Sequence, residues 1–166
     1  MAAIDFVRQQ MIVTRDYTHR LLRATPPDRW LEIPTGGVSN VAWQVGHIAI
    51  AAYRLGLSRI RDPQPTDDVL IPPRYLELYG KGTNPSSFPD QNESPAELCR
   101  VMDGVQAQVL RESEGWKDED LKTECLLPHP IFSTKIDSLW WYSRHESIHA
   151  GQIGLIRRML GYDPAW

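Results

Sequence analysis

Two histidines, His145 and His149, stand four residues apart in the stretch Trp141-Tyr142-Ser143-Arg144-His145-Glu146-Ser147-Ile148-His149-Ala150-Gly151-Gln152. In a helix of ~3.6 residues per turn both imidazoles project from one face, His149 about 40° from His145. On that wheel Ile148, Leu155, Ile156, Met159 and Leu160 lie within roughly 80° of the pair. Ser143, Ser147, Gly154, Arg157 and Arg158 fall on the other side. The spacing therefore predicts two imidazoles in the middle of an apolar stripe. Buried polar groups need partners. A divalent metal would satisfy both rings at once, because neutral imidazole is a common ligand of Zn, Ni, Cu and Fe. The competing reading is a pair of hydrogen-bonded core histidines.

The string His145-Glu146-Ser147-Ile148-His149 also reads H-E-x-x-H, as in zinc proteases. Its surroundings argue against that chemistry. The extended protease form needs a glycine and a third histidine where Gln152 and Leu155 stand, and no glutamate follows His149. A third protein ligand must come from upstream, and His47 is the best-placed candidate. Glu146 falls at the edge of the stripe, where a solvated charge is favoured over a catalytic base.

The elements that must position these residues are helical. Ile4, Val7, Met11 and Leu21 or Leu22 predict a first helix over 3–23, with Phe6, Val13 and Tyr17 widening its stripe. Pro26-Pro27 ends it. Ser39 is a plausible N-cap for a second helix over 40–61. That helix is apolar nearly all round, as a central helix is, and carries His47 with Trp43, Ala51 and Arg54 on the same face. Residues 62–93 form a Pro-rich connection expected to lie across one end of the bundle, interrupted by a short helical piece at 74–79. Ser94-Pro95-Ala96-Glu97 reads as a capping box opening a third helix that stops near Gly115. A further turn is predicted at 118–124. Ser133 or Thr134 caps a fourth long helix over 135–160, and Gly161 occupies its left-handed C-cap position. Four long helices without a convincing strand predict an all-α four-helix bundle with a long connection between helices 2 and 3.

The chain of 166 residues, 42% hydrophobic, suits one domain over 1–166. Net charge is −3 and no basic run is present, so nucleic acid is not an expected partner. No apolar run is long enough for a membrane span and no signal peptide is evident. A cytoplasmic location is the expectation. Cys99 and Cys125 form no disulfide framework, and neither reads as a nucleophile.

Val41-Ala42-Trp43-Gln44-Val45-Gly46-His47, the His145-x-x-x-His149-Ala150-Gly151-Gln152-Ile153 ending and the closing Leu155-Ile156-Arg157-Arg158-Met159-Leu160-Gly161 together resemble the DinB/YfiT-like superfamily over nearly the whole chain. The resemblance implies a four-helix bundle, typically a homodimer, with a divalent metal such as Zn or Ni on His47, His145 and His149. It implies transferase or isomerase chemistry with a low-molecular-weight thiol (mycothiol, bacillithiol or glutathione) and a small-molecule substrate. A non-catalytic metal-binding or stress-related bundle is the alternative.

Around such a site, Trp43, Trp141 and Tyr142 are expected to wall the cavity, with ordinary core packing as the competing role. Arg54 would bind a carboxylate of the substrate or thiol, or else form a bundle salt bridge. Gln152 would orient a ligand or water, or serve as a buried amide. His129, in Pro128-His129-Pro130, reads as surface, and His19 as unpaired. Gly151 implies close approach of another helix or of a dimer partner.

Overall fold

The computed structural model describes residues 2–165. Among them are seven α-helices and no β-strand: α1 (Ala3–Arg23), α2 (Val41–Tyr53), α3 (Asp67–Leu70), α4 (Arg74–Tyr79), α5 (Pro95–Ser113), α6 (Asp118–Leu121) and α7 (Lys135–Met159). The four longest, α1, α2, α5 and α7, form a helical bundle. Phe6 packs against Trp140, Arg15 pairs with Glu146, and Leu21 lies beside Gly154, so α1 and α7 run parallel. The Ser138 hydroxyl donates to the Leu55 carbonyl while Gln44 meets His149, so α2 runs antiparallel to α7. Gly56 packs on Val109 and Arg61 pairs with Glu112, so α2 and α5 are parallel. Two consecutive long helices can be parallel only if the chain between them returns the full length of the bundle.

That return is the Pro-rich connection. It does not lie across one end. Asp67 binds Arg61 and Tyr53 at one end of α2, Tyr79 packs on Gly46, and the Ser86 carbonyl accepts from Asn40 at the other end. The connection therefore runs back along α2. A methyl group at Gly46 would collide with the Tyr79 ring, so glycine at that position lets α4 approach.

Helix ends follow local capping chemistry with two departures. Asn40, not Ser39, caps α2, its side chain accepting from Trp43 N at 2.9 Å. Ser94 accepts from Glu97 N, but the Glu97 carboxylate turns to Arg100, so the capping box is half made. Thr134 caps α7, and Gly161 takes the left-handed φ of 90° beyond it.

The second helix is not α-helical to residue 61. At Arg54 it passes into a π turn, Arg54–Ser58. Such turns insert one residue per turn and change which side chains share a face. Gly56 sits at this turn with Val109 and Tyr142 packed close.

The inward face of α7 also differs from expectation. Leu139, Tyr142, Glu146, His149, Ala150, Ile153, Ile156 and Arg157 are buried, whereas Ile148, Leu155 and Met159 are 51%, 56% and 42% exposed. The buried stripe is centred about 80° round from His145, which places the histidines at its margin. On α1, Phe6 and Val13 likewise face outward, while Ile4, Val7, Met11, Leu21 and Leu22 are buried. Polar residues displace the apolar ones because they find partners. Arg15 holds Glu146 through two bonds of 2.7 and 3.0 Å, and also reaches the Met102 carbonyl and Asp103. Thr18 donates to the same carboxylate. Arg157 is spent on the Ala24 and Asp163 carbonyls and Thr25. His19, expected to be unpaired, meets Asp103 at 2.9 Å.

Glu146 and Arg15 are nearly inaccessible to water, at 2% and 4%. Removing one charge from such a pair strands the other. Arg15→Met is expected to destabilise the protein by about 3–5 kcal/mol in urea unfolding, and Arg15→Met/Glu146→Leu by substantially less. If the double variant is as unstable as the single, packing and not the stranded charge dominates.

Candidate metal centre

Two helices bring three histidines together on one side of the bundle. His47 comes from the second turn of α2, and His145 and His149 from successive turns of α7. Each offers one ring nitrogen, and the three atoms lie within 4.8 Å of one another. Ring centroids are 4.5 Å apart for His145–His149, 4.7 Å for His47–His149 and 5.3 Å for His47–His145. This is a group that could hold a metal ion.

Hydrogen bonds set the tautomers. His47 Nδ1 lies 2.8 Å from the Tyr79 carbonyl oxygen. A carbonyl only accepts, so Nδ1 carries the proton and Nε2 keeps its lone pair. His149 Nδ1 lies 2.6 Å from Gln44 Oε1. The Gln44 amide is oriented by its own Nε2, which donates to Ser39 Oγ at 2.9 Å. Ser39 thus acts on the site at one remove and not as the helix cap. Outer partners of this kind fix ring orientation and raise ligand basicity in metal sites. Trp43 stacks on His47 at 4.7 Å and 10°, and is itself held by Thr83.

Burial keeps the rings neutral. It lowers the His145 pKa to about 4 and that of His149 to about 3, with neighbouring histidines adding to the shift. His47 is lowered by burial as well, and by Arg54. Neutral rings with converging nitrogens are the form a divalent cation requires. The donor set fits such an ion, and three nitrogens leave further coordination positions open.

Other residues sort less evenly. Arg54 and Trp141 line a cavity of about 260 Å³ that adjoins His47 and His145. Tyr142 does not. It points the other way, fully buried against Gly56 on the Arg15–Glu146 side, because its wheel position coincides with the centre of the buried stripe. Gln152 is exposed and its side chain makes no hydrogen bond among the described residues, so it is not a buried amide. Gln44 holds His149 instead. Glu146 is neither solvated nor aimed at the cluster, since Arg15 and Thr18 occupy both its oxygens. That removes the base an H-E-x-x-H protease would use.

Sequence reasoning missed Gln44, the Tyr79 carbonyl, Arg59, Lys81 and His129. His129 is no plain surface residue. It stacks on Phe132 at 4.0 Å and lines the same cavity. Only Gln44 had a detectable signal, three residues before His47 on an otherwise apolar helix.

Two outcomes follow. Gln44→Leu is expected to weaken Zn binding roughly 10–100-fold with the fold unchanged by circular dichroism. Ordinary histidines protonate near pH 6.5 and then reject metal, whereas these depressed rings stay neutral lower. Zn affinity is therefore expected to change little from about pH 7 to 5 and to fall steeply below, measured by competition with a chromogenic chelator. A decline already steep across pH 7–6 would contradict the buried, neutral cluster.

Among curated proteins none matches this sequence. The family model described as the DinB superfamily matches residues 10–153, a span that contains all three histidines and all four long helices but the ends of α1 and α7. The chain belongs to the DinB superfamily.

Proposed function

We propose that this protein is a divalent-metal enzyme, with Zn or Ni on His47, His145 and His149, that uses a low-molecular-weight thiol as a transferase or isomerase of small electrophilic substrates. The single observation carrying the reading is the convergence of three neutral imidazoles beside an open cavity. A cation held there supplies acidity, lowering the pKa of a bound thiol or water toward neutrality. The chain's own residues do the rest. Tyr79 and Gln44 fix the rings, Trp43 and Trp141 wall the site, and Arg54 binds a carboxylate on the substrate or thiol. Residues 1–166 act as one domain, in the cytoplasm. No helix among the described residues is long and apolar enough to cross a membrane.

The reading includes a homodimer formed through the outer face of α7. Ile148 and Leu155 stand seven residues apart, the spacing of a helix–helix seam, with Met159 continuing it. Gly151 lies between them, and a side-chain carbon there would meet nothing within 4 Å in its own chain. No other helix of the same chain occupies that space, which leaves room for a partner helix to approach.

The Co(II) form of the protein is expected to change its visible spectrum when at least one of glutathione, mycothiol or bacillithiol is added. A spectrum indifferent to all three would sink the thiol reading and favour a metal-binding bundle without this chemistry. Light scattering on the eluting protein is expected to give twice the chain mass, and Leu155→Glu the single mass. A monomer before substitution would refute the dimer.

A further inference from the structure

Arg15 is paired with Glu146 and Asp103, and Arg61 with Asp67 and Glu112, while the buried Arg157 is held by carbonyls and Thr25. Arg54, Arg59 and Lys81 gather instead at one cavity. Among the described residues none of them makes an ion pair, and all three line the cavity beside His47 and His145. No aspartate or glutamate lines it. Arg59 Nε is shut off from solvent with no hydrogen-bond partner, although its other nitrogens reach the Arg54 and Pro128 carbonyls at 3.2 and 3.4 Å.

The π turn brings the two arginines together. Five residues apart on an α-helix, Arg54 and Arg59 would diverge by about 140°. A turn closed by i→i+5 bonds returns the fifth residue to nearly the same side. Lys81 arrives from the return connection just after α4, and His129 from the loop before α7. Three separate segments thus deliver positive or donor groups to one small cavity, and mutual repulsion there is unrelieved. Burial lowers the pKa of Arg59 and of His129, and the facing like charges add to it, Arg54 for Arg59, and Arg59 and Lys81 for His129.

We infer that this cavity is a binding site for a small organic dianion, two carboxylates or a phosphate on a short carbon skeleton, with Arg54 and Arg59 as its principal contacts. The inference rests on the metal-site reading above and names the class of small molecule that enters it. A monoanion would leave most of the positive charge unmatched, even before a cation joins the three histidines. Ile50, Ala51 and Trp141 supply an apolar wall for the carbon body. A cavity of about 260 Å³ lies below the ~300–1,000 Å³ of drug-sized pockets, so the ligand is a small metabolite and not a polymer. Guanidinium groups bind carboxylate and phosphate through paired, charge-assisted hydrogen bonds.

Isothermal titration of the zinc-loaded full-length protein, without thiol and at low salt, tests this with acetate, succinate, inorganic phosphate and pyrophosphate. At least one dianionic probe is expected to bind about tenfold or more tighter than acetate, weakening as salt rises. The succinate and phosphate arms decide between carboxylate and phosphate chemistry. Arg54→Gln and Arg59→Gln are each expected to lose about tenfold in that affinity, whereas Arg158→Gln, exposed on the last turn of α7, keeps it. Arg54 is exposed and holds no other side chain, so its variant reports on binding even if Arg59→Gln disturbs the loop. No preference for dianions, or equal affinity in the Arg54 variant, would overturn the inference. A Co(II) spectrum indifferent to thiols leaves these titrations as they stand, so the two readings fail separately.

Discussion

The hydrogen bond from His149 Nδ1 to Gln44 Oε1 ties α7 to α2 at the level of the candidate metal centre. Much of the structure can be read as what that bond requires. It fixes the proton on Nδ1, and burial, by lowering the pKa to about 3, keeps the ring neutral so that Nε2 retains its lone pair. It needs the Gln44 carbonyl oxygen turned inward, which Ser39 provides from the residue before the helix cap. It needs α2 and α7 antiparallel and in a fixed register, which the Ser138–Leu55 bond secures about three turns away. The matching bond on His47 comes from a backbone carbonyl of α4, and it exists only because Gly46 admits the Tyr79 ring. An alanine there would move α4 and, with it, the acceptor that sets the His47 tautomer.

These dependencies explain which features were legible in the sequence. The limits of α1 and α4 were readable because prolines and apolar spacing act locally. His47, His145 and His149 were singled out because imidazoles on apolar helix faces are conspicuous. The orientation of α7 was misread because leucine, isoleucine and methionine were weighted as inward. Glu146 and Arg157 occupy the interior through partners 131 and 133 residues away, which no wheel can contain. The π turn was invisible for a related reason. The turn is accompanied by Gly56 packed against Val109 and Tyr142 and by the Ser138 hydroxyl donating to the Leu55 carbonyl, contacts from distant parts of the chain. Arg59 and Lys81 could not be placed at the site without that turn and the return of the connection along α2.

The two flanks of α7 carry chemistry of opposite kinds, one residue apart. His145 faces the open side, and Glu146, 100° round, faces α1. Had Glu146 turned toward the cluster, its carboxylate would have offered a fourth ligand or a counter-charge, and the cavity's cations would have had an internal partner. Arg15 prevents this. Its bidentate grip with Thr18 saturates the carboxylate and withholds it from the site. The ion pair in the core therefore has a consequence on the far side of the helix. It leaves the cluster as three imidazoles without a carboxylate, and it leaves Arg54, Arg59 and Lys81 without an ion pair. Burying an ion pair is a poor way to gain stability, because desolvation offsets most of the attraction. Here the pair fixes the rotation of α7 about its own axis, because any twist that moved the histidines would expose or strand a charge. In that rotation one helix turns Glu146 toward Arg15 and Thr18 while His145 and His149 meet His47.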